Sequence, residues 1–168
     1  MSPVTPLVSP QPPALPPPPL RVIASPNYND RPGGETDIDT IVLHHTASSA
    51  NAEGIAHFFQ DPQSKVSSHY VVDQDGTVVE VVPDGKRAWH AGVSTFQGRG
   101  NVNDFSVGIE ICNRGDNRDP YPEAQYRAVV DLVAYLVQAH QVPLERITRH
   151  RDVALPPGRK SDTSDNFD

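Results

Sequence analysis

Three places in this 168-residue chain carry side chains suited to chemistry. His44-His45 close the run Thr40-Ile41-Val42-Leu43. Glu110 lies inside Val107-Gly108-Ile109-Glu110-Ile111. His150 precedes a Pro/Gly-rich stretch that holds Lys160 and Asp162. Singly, each has an ordinary structural reading: a hydrogen-bonded histidine, an edge glutamate facing water, a solvated turn. Together they are more telling. Two imidazoles and a carboxylate form a three-donor set for zinc that leaves a fourth position for water. A separate carboxylate can take that water's proton, and a lysine can stabilise developing negative charge. This is equipment for amide hydrolysis. Spacing alone does not choose the set, because the sequence also offers His69, His90 and Asp152.

These groups need elements to position them. The apolar, β-branched run over 40–45 reads as a buried strand. Alternation puts His44 and His45 on opposite faces of it, so only one can enter a given site. Residues 50–60 carry Ile55, Phe58 and Phe59 at helical spacing. Two apolar stretches, 68–72 and 78–82, flank Asp75-Gly76, a strong hairpin signal. Residues 105–111 read as another strand, where a carboxylate is unfavourable unless paired, protonated or functional. Residues 123–140 read as an amphipathic helix with Tyr126, Val129, Val130, Val133, Leu136 and Val137 along one face. Pro122 suits its start. Residues 147–150 read as a last short strand, followed by loop. Interleaved strands and helices imply an α/β domain, a mixed central β-sheet flanked by helices.

Composition bounds the rest. Residues 1–25 hold the run Pro16-Pro17-Pro18-Pro19 and no core-forming pattern, so they are expected to be a Pro-rich, disordered segment ahead of a domain over 26–168. The formal charge of −7 is a poor match for a phosphate backbone and argues against nucleic-acid binding. No apolar run is long enough to span a membrane. Met1-Ser2-Pro3 lacks the basic, then apolar, character of an intact secretory signal. Compartment and oligomeric state stay open. Cys112 is the single cysteine and cannot form an intramolecular disulfide; it is expected to be a buried packing residue.

The chemistry-bearing residues fall in blocks: His44-His45-Thr46-Ala47-Ser48, Ser67-Ser68-His69-Tyr70, Arg87-Ala88-Trp89-His90-Ala91-Gly92, Asn103-Asp104-Phe105-Ser106-Val107-Gly108-Ile109-Glu110, His150-Arg151-Asp152 and Gly158-Arg159-Lys160-Ser161-Asp162. In this order they resemble the zinc-dependent N-acetylmuramoyl-L-alanine amidases, the family of AmpD- and AmiD-type enzymes related to T7 lysozyme and to peptidoglycan recognition proteins. The resemblance covers residues 25 to 168. It implies that family's fold, one zinc per chain, and hydrolysis of the amide between the lactyl group of N-acetylmuramic acid and L-alanine in peptidoglycan or muropeptides. It also implies roles: His44, His150 and Asp162 as metal ligands, Glu110 as general base and acid, Lys160 facing the scissile carbonyl, and Trp89, His90 and Arg159 at the substrate groove. His45 and His69 are then structural. Two departures from the family pattern are a longer loop over 154–158 and Asp162-Thr163-Ser164 after the last ligand, which leave Asp152 and Asp165 as alternative third ligands. The rival from another class is a non-catalytic peptidoglycan-binding module of the same fold. A metallopeptidase of the commonest type would need His-Glu-x-x-His, which the chain lacks.

Overall fold

Thr40–His45 (β3) lies inside a six-stranded sheet, one strand from its edge, and its side chains are buried along its whole length. The computed structural model describes residues 13–168. Ten strands run in chain order: β1 (Leu20–Val22), β2 (Tyr28–Asp30), β3, β4 (Tyr70–Val72), β5 (Val78–Glu80), β6 (Lys86–Ala88), β7 (Thr95–Phe96), β8 (Arg99–Gly100), β9 (Ser106–Ile111) and β10 (Ile147–Arg149). The main sheet has the order β1-β5-β4-β9-β3-β10, and β2-β6 and β7-β8 form two small antiparallel pairs. Within the main sheet only β4 and β5 are antiparallel; the other pairs are parallel. The sheet is therefore mixed, as the sequence implies.

The β4–β5 connection is the expected hairpin. Asp73 N–H donates to Thr77 O at 2.8 Å and Thr77 N–H to Asp75 Oδ1 at 2.8 Å. Gly76 adopts φ +88°, and a Cβ there would meet the Ala124 carbonyl oxygen at 2.9 Å, so only glycine fits this turn.

Helices cover both sheet faces. Helix α1 (Ala52–Gln60) starts at Asn51, whose side chain accepts from Gly54 N–H at 2.9 Å. It packs Ala52, Ile55, Ala56 and Phe59 against Val71, Val79 and Val81. Helix α2 (Glu123–His140) covers the other face with Val129, Leu132 and Leu136 against Ile41, Leu43, Ile109 and Ile111. Its buried stripe differs from the expected one at Val130, which is 62% exposed while Leu132 is fully buried. Each helical residue turns about 100°, so Val130 cannot share the face centred on 129, 132 and 136. Buried Gln125 ties α2 to the sheet through Nε2, which donates to Cys112 O at 2.9 Å and to Val72 O at 3.2 Å.

Two elements differ from their sequence expectation. Leu20–Val22 forms edge strand β1, paired in parallel with β5, inside the segment 1–25 expected to be disordered; residues 1–12 of that segment lie outside the described residues. Its register continues through Ile23 N–H to Glu80 O (3.0 Å) and Ser25 N–H to Val81 O (2.9 Å). The polyproline run ends at Pro19, and the chain regains donors for a sheet edge at Leu20. The second is His150, which begins a one-turn helix, α3 (His150–Val153), rather than ending β10. Among the described residues no helix is long and apolar enough to cross a membrane.

Candidate metal centre and active site

Strand register builds the site. β3 and β9 are parallel neighbours in which His44 is the Cα partner of Glu110. Partners in adjacent strands project to the same face, so the imidazole and the carboxylate stand side by side. The odd-numbered residues Ile41, Leu43, Ile109 and Ile111 go to the α2 face. His45 therefore lies away from His44, and its Nδ1 accepts from Ser164 N–H at 3.0 Å. That bond anchors the segment carrying Asp162. Thr163 and Ser164 are buried, and Ser164 Oγ lies 2.6 Å from Tyr121 Oη. The atypical sequence after Asp162 is thus packed into the domain.

His150 comes from the first residue of α3, and Asp162 from the C-terminal loop, whose carbonyl accepts from Arg151 N–H at 2.8 Å. His44 Nδ1, His150 Nδ1 and Asp162 Oδ2 lie 3.0 Å from one another, all on buried residues. His150 Nε2 faces Ala91 O at 3.1 Å. A carbonyl can only accept, so the neutral ring places its one hydrogen on Nε2 and presents a lone pair at Nδ1. Asp162 Oδ2 and that lone pair face each other at 3.0 Å, an arrangement that a shared cation reconciles. The donor set of two imidazoles and one carboxylate fits a metal centre that keeps an open position.

Glu110 is half-buried overall, yet its Oε2 is sequestered without a hydrogen-bond partner. Burial pushes its pKa up to about 8, the Asp162 charge adds to this, and Lys160 opposes it. His44 is pushed down to about 4, chiefly by burial. The site opens into a cavity of about 390 Å³ whose lining includes His44, Glu110 and Lys160 together with Phe58, Val66 and Trp89. Phe58 and Val66 are 55% and 39% exposed. Sequence reasoning did not place these two at the site. Phe58 carries a weak signal, an aromatic one position off the buried stripe of α1.

The other candidates sort clearly. Asp152 is exposed and pairs with Arg149 at 3.1 Å; Asp165 is exposed and pairs with Arg151 at 2.5 Å. Neither joins the donor cluster. Trp89 is half-buried at the cavity with Nε1 donating to Asn29 Oδ1 at 2.7 Å. Arg159 also lines the cavity, but its guanidinium donates to the carbonyls of Leu155, Ala91 (3.2 Å) and Val93 (2.9 Å). Arg149, Arg151 and Arg159 are therefore engaged locally, while Lys160 has no ion-pair partner among the described residues. His90 is buried beneath His44, with Nδ1 3.0 Å from His44 Nε2. His69 Nδ1 accepts from Gly108 N–H at 2.9 Å, and its Nε2 lies 3.0 Å from Lys86 O, which ties β9 to β6. Cys112 is buried, its thiol pushed up to about 12 chiefly by burial.

A central mixed sheet with a buried His-His-Asp cluster and a carboxylate beside it presents a donor set that could hold a metal ion next to a proton acceptor. Residues 34–165 match the N-acetylmuramoyl-L-alanine amidase family, and the chain belongs to that family. It is 34% identical to the 1,6-anhydro-N-acetylmuramyl-L-alanine amidase AmpD of Haemophilus influenzae over 165 residues, covering 88% of this chain and 87% of that one. Identity to AmpD of Escherichia coli is 36% over the same shares. Among solved structures, a Se-Met AmpD superposes with a TM-score of 0.75 at 32% identity, covering 89% of each chain. The E. coli amidase AmiD in complex with the substrate anhydro-N-acetylmuramic acid-L-Ala-D-gamma-Glu-L-Lys superposes with a TM-score of 0.70 at 30% identity, covering 79% of this chain and 55% of that one.

Proposed function

We propose that this amidase hydrolyses the amide joining the lactyl group of N-acetylmuramic acid to L-alanine of the stem peptide, in muropeptides or peptidoglycan, using zinc held by His44, His150 and Asp162. The observation that carries the mechanism is the pairing of Glu110 with His44 across β3 and β9, which sets an unpartnered buried carboxylate oxygen beside the three-donor cluster. When bound there, zinc supplies Lewis acidity, polarising a carbonyl and making water a stronger nucleophile at neutral pH. A cation in the cluster also favours the ionised form of Glu110. Glu110 then accepts a proton as water adds to the lactyl carbonyl carbon. Lys160, at the cavity wall, stabilises the negative charge that develops on the carbonyl oxygen. Glu110 returns the proton to the alanine nitrogen as the C–N bond breaks. The products are a lactyl carboxylate and a peptide with a free amino terminus. Phe58, Val66 and Trp89, which also line the cavity, offer apolar surface for the substrate.

The AmpD relatives are named for the 1,6-anhydro-N-acetylmuramyl substrate, and the AmiD structure holds an anhydro-muramyl tripeptide. Both support a soluble anhydro-muropeptide as the first substrate to try. A non-catalytic binding module is disfavoured because the donor cluster, Glu110 and Lys160 are all retained. The test is mass spectrometry of products from anhydro-muropeptide and from wall polymer. Release of intact stem peptide beginning at L-alanine is expected; cleavage within the stem peptide, or none with zinc supplied, would overturn the assignment.

A further inference from the structure

Behind the donor cluster runs a hydrogen-bonded line whose direction is set at its far end. Ser106 Oγ lies 2.7 Å from Val102 O. Two oxygens that close need a hydrogen between them, and only the serine hydroxyl has one. Ser106 Oγ is thereby left as an acceptor, and it lies 3.2 Å from His90 Nε2. His90 must carry its hydrogen on Nε2, and its Nδ1 is then a lone pair. That lone pair faces His44 Nε2 at 3.0 Å. His44 can satisfy it only by carrying its own hydrogen on Nε2, which leaves Nδ1 bare toward His150 and Asp162. The chain of donors runs from His44 through His90 and Ser106 to a backbone carbonyl.

We infer that His90 is a positioning residue: through its Nδ1 it holds His44 in the Nε2–H tautomer, with the Nδ1 lone pair aimed at the metal position. His90 also lines the cavity, but both its ring nitrogens are engaged by His44 and Ser106, so its effect on the metal position passes through His44. The corresponding task for His150 is done by the Ala91 carbonyl, one residue beyond His90. A single short segment, His90-Ala91, thus orients both imidazoles. Gly108 makes the arrangement possible. A Cβ at Gly108 would lie 2.5 Å from His90 Cγ, so any side chain there displaces the ring. A neutral histidine exchanges between its two tautomers, and a partner that fixes one of them raises metal affinity.

The inference rests on the zinc-site assignment above but is tested apart from turnover. In metal-free protein at neutral pH, long-range proton–nitrogen NMR correlation reads the tautomer of each ring. His44 as Nε2–H is the expected result; His44 as Nδ1–H overturns the inference with no variant needed. Zinc affinity is then measured by chelator competition on wild type, His90→Asn and His90→Leu. Asparagine keeps an acceptor oxygen near the place of Nδ1, and leucine fills space without one. His90→Leu should bind zinc about 10- to 100-fold more weakly, while His90→Asn stays close to wild type. Gly108→Ala should match His90→Leu. If the leucine and asparagine variants bind equally well or equally poorly, the hydrogen bond is not what matters and the inference fails. A wild type that binds zinc but cleaves no muropeptide would remove the activity assignment and leave these readouts intact.

Discussion

Glu110 and His44 are partners across two strands, and the proposed mechanism gives them different work that variants should separate. His44→Ala, His150→Ala and Asp162→Ala are each expected to lose zinc and, with it, activity, whereas Asp152→Ala and Asp165→Ala keep both, because those carboxylates pair with Arg149 and Arg151 instead. Glu110→Gln is expected to keep zinc and lose at least ~100-fold in turnover, the scale of a missing general acid/base. Metal content measured beside kinetics decides this; a Glu110→Gln enzyme with normal turnover would remove the carboxylate from the mechanism. The same residue predicts a pH effect on the metal-free protein. Its folded pKa of about 8 lies above the ordinary 4.5. Between those values the folded chain holds a proton that the unfolded chain has released, so this residue's contribution makes stability fall as pH rises through that window. Glu110→Gln removes that slope. Metal-free Glu110→Gln should be more stable than metal-free wild type at pH 8, by on the order of 1 kcal/mol or more, and the two should converge toward pH 5 in denaturant titrations.

At the scale of elements, β1 shows how a segment without its own core pattern joins a sheet. It adds the outermost strand beyond β5, and the order β1-β5-β4-β9 puts two strands between it and the one carrying Glu110. Its contribution is therefore to stability and not to chemistry. Deleting residues 1–12 is expected to leave the melting temperature unchanged. Deleting 1–24 uncovers the β5 edge and removes several backbone hydrogen bonds at roughly 1 kcal/mol each, lowering the melting temperature by several degrees while turnover on soluble muropeptide persists. Calorimetry and kinetics on the two truncations check this. A 1–24 deletion with unchanged melting temperature would mean that β1 contributes nothing.

Over the whole molecule, the three donors come from β3, α3 and the C-terminal loop, separated by 106 and 118 residues from His44 in sequence. A metal held by these donors would tie β3 to the C-terminal loop and, by binding the folded state alone, would stabilise it by mass action. Removing metal with a chelator should lower the melting temperature, and restoring zinc at 100 times its dissociation constant should recover about 2.7 kcal/mol. Asp162→Ala should show neither change. Equal melting temperatures with and without zinc in the wild type would count against the metal site.

Much of this was legible in the residues themselves. The hairpin at Asp75-Gly76, the strands carrying His44 and Glu110 and the long helix α2 follow from local periodicity and turn chemistry, which depend on near neighbours. So do the opposite orientations of His44 and His45. The family blocks pointed to the donor types and to Glu110. What only tertiary structure decided is non-local. Parallel register, which no single strand specifies, put Glu110 opposite His44. Packing turned His150 into the first residue of α3, set Phe58 and Val66 on the cavity wall, paired Asp152 and Asp165 with arginines, and brought Asp162 beside His44 and His150. His90 was legible as a groove residue, but its place beneath His44 depends on the missing side chain of Gly108, a contact across two strands of chain 18 residues apart. Sequence periodicity determines which face a side chain takes; which other chain segment meets that face is set by long-range packing.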